Sequence, residues 1–343
     1  MEEELMTNLM TSTTESALNI PKRGMPVTII TGFLGSGKTT LLNQILTNKK
    51  DLKVAVLVNE FGDINIDSQL LVSLDEDMVE LSNGCICCTI NDGLVDAVYR
   101  VLERDSRIDY LVIETTGIAD PLPIILTFVG TELRDLTQLD SILTLVDAEA
   151  FTPDHFNSEA ALKQIYYGDM ILLNKIDLVS SQKLEEVQAY IRNIKAGARI
   201  IPTQYGQVPL PLILGIGMTP VDMFTQDTHS DRHHHHHHHH HHDHHSHHLE
   251  NDGFVSLSFE SDRPFSVHKF EQFLTQQMPQ NIFRAKGILW FSDSDLRHIF
   301  QLSGSRYDMN AEQWVSSPKN QLVLIGRDLD IAQVQQQLNE CLV

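Results

Sequence analysis

Cysteine, tryptophan and long apolar runs are all scarce in this sequence. Four cysteines and two tryptophans occur among 343 residues, and three of the cysteines fall within residues 85–88. Cysteines that close together cannot cross-link distant segments, which excludes a disulfide framework. No run of about 18 apolar residues is present, and residues 1–19 lack the apolar core of a signal peptide. We therefore expect a cytoplasmic protein that has no membrane as its partner.

Positively charged residues are also few. Lys and Arg together number 25, against 46 Asp and Glu, which gives a formal net charge of −21 at pH 7. Nucleic-acid backbones and anionic membranes attract basic proteins, so this balance excludes both as the main partner. An acidic chain suits a protein that handles cations.

The sequence does contain a regular alternation of strand and helix patterns. Short continuous apolar runs predict strands that are buried on both faces of a parallel sheet. These runs are Val27–Thr31, Val54–Val58, Tyr110–Ile113, Ile142–Val146, Ile171–Leu173 and Arg199–Ile201. Apolar residues at helical spacing lie between them. The alternation predicts a doubly wound, mostly parallel α/β domain over residues 25–224, preceded by a mobile arm over residues 1–24.

The second half of the chain begins with a histidine-rich segment. Fourteen of the 18 histidines lie between residues 233 and 248, inside a low-complexity stretch at 225–250. Neutral imidazoles bind Zn, Cu, Co and Ni with little selectivity, so we predict a metal-capturing linker. A purification tag is the alternative, although tags are normally terminal. Residues 251–343 resume a folded pattern and predict a smaller α+β domain.

A phosphate-binding motif follows the first predicted strand. Residues 32–39, G-F-L-G-S-G-K-T, match G-x-x-x-x-G-K-[ST] and open a predicted helix. The glycines let backbone N–H groups surround the phosphates, Lys38 reaches the β- and γ-phosphates, and Thr39 ligates Mg²⁺. Glu114 ends a later strand and can hold Mg²⁺ through water, while Gly117 can sense the γ-phosphate. We predict that Lys38, Thr39 and Glu114 are catalytic; a helix N-cap is the alternative for Glu114.

The base is predicted from the segment N-K-I-D at residues 174–177, which follows another strand. The Asp177 carboxylate can accept two hydrogen bonds from the N1–H and N2–H₂ edge of guanine, a donor pair that adenine lacks. The motif therefore favours GTP over ATP as the substrate. The predicted GTP-binding residues are Gly32, Gly35, Ser36, Gly37, Lys38, Thr39, Thr40, Gly117, Asn174, Lys175 and Asp177.

Three thiols on four residues form the most unusual motif, at Cys85, Cys87 and Cys88. Zn²⁺ takes four tetrahedral ligands from S, N or O donors, so three thiolates leave one position for a carboxylate, a water or an incoming ligand. Glu60 and Asp63, just past the second strand, are candidates to complete this site. They are alternatively Mg²⁺ ligands or a solvated acidic turn. A redox pair and packed structural cysteines are the alternatives for the thiols.

Taken together, these motifs resemble the CobW-like family of P-loop GTPases, which are metallochaperones or metal-insertion proteins. The matching segments are T-G-F-L-G-S-G-K-T-T at 31–40, N-E-F-G at 59–62, E-L-S-N-G-C-I-C-C at 80–88, E-T-T-G-I-A-D-P at 114–121, N-K-I-D at 174–177 and R-A-K-G-I-L-W at 284–290. The resemblance implies slow GTP hydrolysis coupled to metal binding or release, and a C-terminal domain that engages a client. Because zinc-handling members often have a His-rich linker, it favours Zn²⁺ as the cargo.

We therefore predict a GTP-hydrolysing chaperone that transfers Zn²⁺ to an apo-metalloprotein client, with the nucleotide state controlling metal affinity. A cobalt-insertion GTPase, with Co²⁺ as the cargo, is the first alternative, since the motifs do not distinguish the metal. A His-rich metal buffer and a thiol redox switch are the others. The intact Gly37, Lys38, Thr39 and Asp177 speak against a buffer in which the GTPase is vestigial.

Overall fold

The computed structural model describes residues 24–49, 52–58, 78–80, 90–104, 108–152, 158–215, 254–314 and 317–343. The predicted N-terminal arm, the His-rich linker and both predicted boundaries of that linker lie outside these ranges. Among the described residues, no helix has the length and apolar character needed to cross a membrane.

The first part of the chain forms a seven-stranded sheet in which all neighbours are parallel. In spatial order the strands are β3 (Met78–Glu80), β2 (Val54–Val58), β4 (Tyr110–Glu114), β1 (Met25–Gly32), β5 (Thr137–Asp147), β6 (Met170–Asn174) and β7 (Arg199–Pro202). This confirms the predicted doubly wound sheet. The sequence patterns did not predict β3, because three residues are too short for a period to show.

Seven helices accompany this sheet in the described residues. They are α1 (Lys38–Asn48), α2 (Ile90–Leu102), α3 (Leu122–Gly130), α4 (Leu133–Leu136), α5 (Glu159–Tyr167), α6 (Ser181–Ile194) and α7 (Leu210–Leu214). Side chains of α1 and α7 pack on one face of the sheet. Side chains of α2 and α3 pack on the other face, together with those of α5 and α6. Both faces are therefore covered, which explains the continuous apolar runs of the strands.

The second part of the chain is a five-stranded sheet in which all neighbours are antiparallel. In spatial order the strands are β11 (Arg306–Glu312), β10 (Arg297–Ser303), β9 (Ile282–Trp290), β12 (Asn320–Arg327) and β8 (Phe254–Ser261). Helices α8 (Val267–Gln272) and α9 (Ile331–Glu340) complete the predicted α+β domain. Six phenylalanines, at positions 259, 265, 270, 273, 291 and 300, contribute to its core.

The two parts are joined by apolar packing and by ion pairs, of which one is buried. Phe254, Phe283, Val323 and Ile325 of the second sheet belong to the same apolar cluster as α1 and α7. At the edge of this cluster the Arg284 guanidinium pairs with Asp140 of β5. The second domain is therefore anchored to the strands of the first.

A second ion pair and a buried phenol belong to this junction. Arg306 donates to the Asp169 carboxylate at 2.7 Å, just before β6, and to the main-chain oxygens of Leu139 and Asp140. The Tyr110 hydroxyl donates to Asp140 and lies 2.9 Å from the Thr28 hydroxyl. Burial, followed by the Asp140 charge, raises the pKa of Tyr110 well above its ordinary value.

Candidate functional site

The phosphate loop lies at the carboxyl edge of the parallel sheet, where β1 ends and α1 begins. Two glycines in it leave no room for a side chain. At Gly32, with φ 139°, a Cβ would lie 2.3 Å from the Leu145 carbonyl oxygen. At Gly37, with φ 101°, a Cβ would lie 2.5 Å from Asn174 Nδ2. The loop leads directly into the N-terminus of α1 at Lys38, and the N-terminus of a helix favours anions.

Lys38 is the first residue of α1, and its side chain folds back over the loop. Its Nζ donates to the Gly32 carbonyl at 3.0 Å and to the Phe33 carbonyl at 3.3 Å, and the residue is 8% exposed. Two hydroxyls nearby, those of Ser36 and Thr116, are buried and have no hydrogen-bond partner within the described part of the chain. Because buried polar atoms are rarely left unpaired, this polar lining fits a phosphate group.

Thr39 and Glu114 form a pair beside the loop. The Thr39 hydroxyl donates to Glu114 Oε1 at 3.1 Å, and Glu114 is 2% exposed as the last residue of β4. A hydroxyl and a carboxylate are oxygen donors of the kind that Mg²⁺ takes, and the residues present fit that ion. The N-cap alternative for Glu114 is wrong, because the next helix begins eight residues later at Leu122.

The segment after β4 packs closely against the phosphate loop and is hydrogen-bonded to α5. A Cβ on Gly117 would lie 2.7 Å from the Leu34 backbone nitrogen. Gln164, which is 1% exposed, donates to the carbonyls of Gly117 at 3.2 Å and Ala119 at 3.0 Å. Sequence patterns missed Gln164. The sequence did contain a signal, because Gln164 is a polar residue at the same helical spacing as the buried apolar residues Ala161 and Ile165.

A salt bridge reinforces the same hold on this segment. Lys163 pairs with Asp120 at 2.8 Å and with Glu159 one turn away on α5, also at 2.8 Å. These partners raise the pKa of Lys163, so the lysine stays charged at physiological pH. Helix α5 thus fixes the segment that contains the predicted γ-phosphate sensor.

Asn174, the last residue of β6, links two loops through its side chain. Its Nδ2 donates to the Ser36 carbonyl of the phosphate loop at 3.0 Å. Its Oδ1 accepts from the Thr203 hydroxyl at 3.2 Å and from the Gly206 N–H at 3.0 Å. The side chain therefore sets the distance between the phosphate loop and the loop after β7. A direct contact between Asn174 and the base stays a prediction.

The other residues of the N-K-I-D motif follow Asn174 directly in the chain. Lys175 has a positive φ of 60°, and its Nζ pairs with Asp147 Oδ2 at 2.5 Å. Asp147 ends β5 and was not predicted from the sequence. Asp177 lies in a single 3₁₀ turn, Ile176–Leu178, and is exposed. Its carboxylate is thus accessible to a base bound at this edge of the sheet.

The remaining predicted residues divide into two groups. Gly35 has φ 74°, and Thr40 is exposed in the first turn of α1. The predicted metal ligands lie outside the described residues; they are Glu60, Asp63, Cys85, Cys87 and Cys88. Within the described ranges, no group of three or more His, Cys, Asp and Glu could hold a metal ion.

A parallel sheet whose first strand enters a G-x-x-x-x-G-K-[ST] loop, with a threonine–carboxylate pair beside it, defines a P-loop nucleotide-binding protein. The chain belongs to the CobW/HypB/UreG family. The family model of the nucleotide-binding domain matches residues 26–202, and that of the cobalamin synthesis protein cobW C-terminal domain matches residues 254–342. These matches confirm the resemblance drawn from the motifs and the predicted P-loop GTPase class.

Several known proteins are similar along most of the chain. Zinc-regulated GTPase metalloprotein activator 1 of Dictyostelium discoideum is 31% identical over 337 residues, covering 86% of this chain and 69% of that protein. Zinc chaperone CobW of a Sinorhizobium species is 30% identical over 346 residues, covering 91% and 95%. The solved structure of Zn(II)-bound YjiA GTPase from Escherichia coli covers 93% of this chain and 99% of its own, with 27% identity and a TM-score of 0.44.

Proposed function

We propose that this protein hydrolyses GTP and uses the nucleotide state to bind Zn²⁺ and deliver it to an apo-metalloprotein client. The GTP part of this proposal rests on the hydrogen bonds of Asn174, which join the phosphate loop to the base motif at one edge of the sheet. The zinc part rests on the Cys-x-Cys-Cys motif and on relatives named for zinc.

Each group at the phosphate end has one task. The Lys38 ammonium and the first N–H groups of α1 bind the β- and γ-phosphate oxygens. Thr39 and Glu114 are the residues that would hold Mg²⁺, and the bound ion would supply positive charge to those oxygens during phosphoryl transfer. Gly117 offers its N–H to the γ-phosphate from a segment that Gln164 fixes. Catalysis at this site is positioning and charge stabilisation.

Sheet register supports a link between the nucleotide and the metal motif. Val58, the last residue of β2, pairs with Glu114 on one side and with Glu80, the last residue of β3, on the other. The segment with Glu60 and Asp63 follows β2, and the cysteine segment follows β3. Both segments therefore start from the edge at which Glu114 ends, beside the proposed Mg²⁺.

Metal affinity is expected to rise when Mg²⁺ and a GTP analogue bind. A thiolate site short of four ligands gains most from one added carboxylate, and Glu60 and Asp63 are the candidates. By linkage, metal then tightens nucleotide binding by the same factor, typically about 5- to 150-fold. The measurement is competition against a calibrated Zn²⁺ chelator without nucleotide, with GDP and with a non-hydrolysable GTP analogue, repeated with Co²⁺.

Cys87→Ser is the matched variant for that experiment. A serine hydroxyl does not ionise near pH 7, so the variant is expected to bind Zn²⁺ more weakly in all three nucleotide states. Its binding of GDP in the absence of metal is expected to be unchanged. Equal chelator competition by the wild-type protein in the three states would contradict nucleotide control of the metal.

Guanine selection is expected to weaken in Asp177→Asn. An amide presents one acceptor where the N1–H and N2–H₂ donors of guanine need two. Losing one charge-assisted hydrogen bond, worth roughly 1.5–3 kcal/mol, lowers the preference for GTP over ATP by roughly 10- to 100-fold. Calorimetric titration with both nucleotides measures this ratio. Asp135→Asn, exposed in α4, is the control and should keep the wild-type ratio.

A further inference from the structure

The turn after β7 presents an exposed aromatic ring on an unfavourable backbone. The Gln207 N–H donates to the Gln204 carbonyl at 2.9 Å and closes the turn around Tyr205 and Gly206. Both central residues have positive φ, 53° for Tyr205 and 65° for Gly206. Positive φ at both positions is typical of a type I′ turn, which favours Asn, Asp or Gly at the first of them. A tyrosine there is sterically disfavoured.

The surroundings hold this backbone in place without using the ring. Gly206 is buried, and a Cβ there would lie 3.1 Å from Leu41 Cα of α1. Its N–H donates to Asn174 Oδ1, which also accepts from Thr203. The Tyr205 side chain, by contrast, is 65% exposed. The packing of the ring therefore contributes little stability to compensate for the cost of the positive φ at Tyr205. Residues held in such strained conformations cluster at ligand sites.

We propose that Tyr205 stacks on the face of the bound guanine base, an inference that rests on the proposed GTP site. The turn is tied to Asn174, three residues before Asp177, so the ring and the base-reading carboxylate project from adjoining segments. Asp177 reads the edge of the base, and the tyrosine covers its face. Since every purine has a π-face, Tyr205 supplies affinity, and Asp177 supplies selection.

Tyr205→Asn separates this role from a structural one. Asparagine tolerates positive φ and removes the ring, so the variant should bind GDP about 5- to 100-fold more weakly, given what base–aromatic stacking contributes. The inosine nucleotide, which keeps the π-face, should lose affinity by a similar factor. Inorganic tripolyphosphate, which has no base, should bind the variant as it binds the wild type. The melting temperature should be unchanged or higher.

Tyr205→Phe keeps the ring and should bind GDP as the wild type does. Tyr307→Asn, at an exposed tyrosine of the second domain, is the control and should leave GDP binding unaltered. Wild-type affinity of Tyr205→Asn for GDP, or an equal loss of tripolyphosphate binding, would overturn the stacking role alone. A wild-type protein that binds no guanine nucleotide would overturn the proposed function as well.

Discussion

Alanine in place of Lys38 is expected to lower GTP turnover by about 10²- to 10³-fold, the usual loss when one donor is removed from a site of developing charge. The ammonium is held over the loop by the carbonyls of Gly32 and Phe33 and is 8% exposed. Alanine removes the positive charge that faces the phosphates, and the N-terminus of α1 remains. Phosphate release at saturating GTP and Mg²⁺ measures the effect.

Two further variants make this experiment specific. Lys38→Arg keeps the charge but replaces a compact ammonium by a planar guanidinium, which cannot occupy the same position between two carbonyls, so its turnover should also be low. Lys53→Ala, exposed at the opposite edge of the sheet just before β2, should behave as the wild type. Turnover of Lys38→Ala equal to that of the wild type would contradict the assignment of this loop as the phosphate site.

The central strands were predictable because burial on both faces leaves an unbroken apolar run. β2 and β6 show this clearly, with all five residues of each buried. β11 was not predicted, because its sequence, R-Y-D-M-N-A-E, is polar and none of its residues is buried. An edge strand such as β11 forms main-chain hydrogen bonds with one neighbouring strand, so its side chains need not follow an alternating apolar pattern.

The predicted phosphate-binding motif could be recognised for a different reason, namely the fixed spacing of its glycines, lysine and threonine. Lys38, Thr39 and Glu114 were predicted to act together, and the structure brings Thr39 and Glu114 to 3.1 Å. Gln164 and Tyr205 could not be found in the same way. Gln164 contacts Gly117 and Ala119, and the turn that contains Tyr205 contacts Asn174, only because tertiary packing brings these segments together.

The junction between the domains shows the same limit. Arg284 was noted only as part of a motif in a predicted C-terminal domain. A charged residue at a buried position of a mostly apolar strand needs a partner, but nothing local identifies Asp140, which lies 144 residues earlier in the chain. Because buried charges are costly unless paired, the pair is informative about domain docking even though sequence alone does not reveal it.

Arg284→Ala is expected to be the most destabilising single replacement considered for this protein. Arg284 is 4% exposed and Asp140 is 8% exposed, so the variant leaves a carboxylate buried without its cation. Breaking a buried pair in this way costs about 3–5 kcal/mol of unfolding free energy. Urea denaturation, with the midpoint and slope compared between variant and wild type, measures the loss. Lys319→Ala, which removes an exposed contact with Glu260 at 3.8 Å, should cost at most about 1 kcal/mol.

Removing both charges of the buried pair should recover most of that loss. The double variant Asp140→Leu with Arg284→Met replaces the ions by apolar side chains, an exchange that is often neutral or stabilising. The Tyr110 hydroxyl, which loses Asp140 in this variant, keeps the Thr28 hydroxyl at 2.9 Å as a partner. We therefore expect the double variant to unfold at a higher urea concentration than Arg284→Ala alone. A double variant no more stable than Arg284→Ala would mean that docking of the second domain depends on the charges themselves.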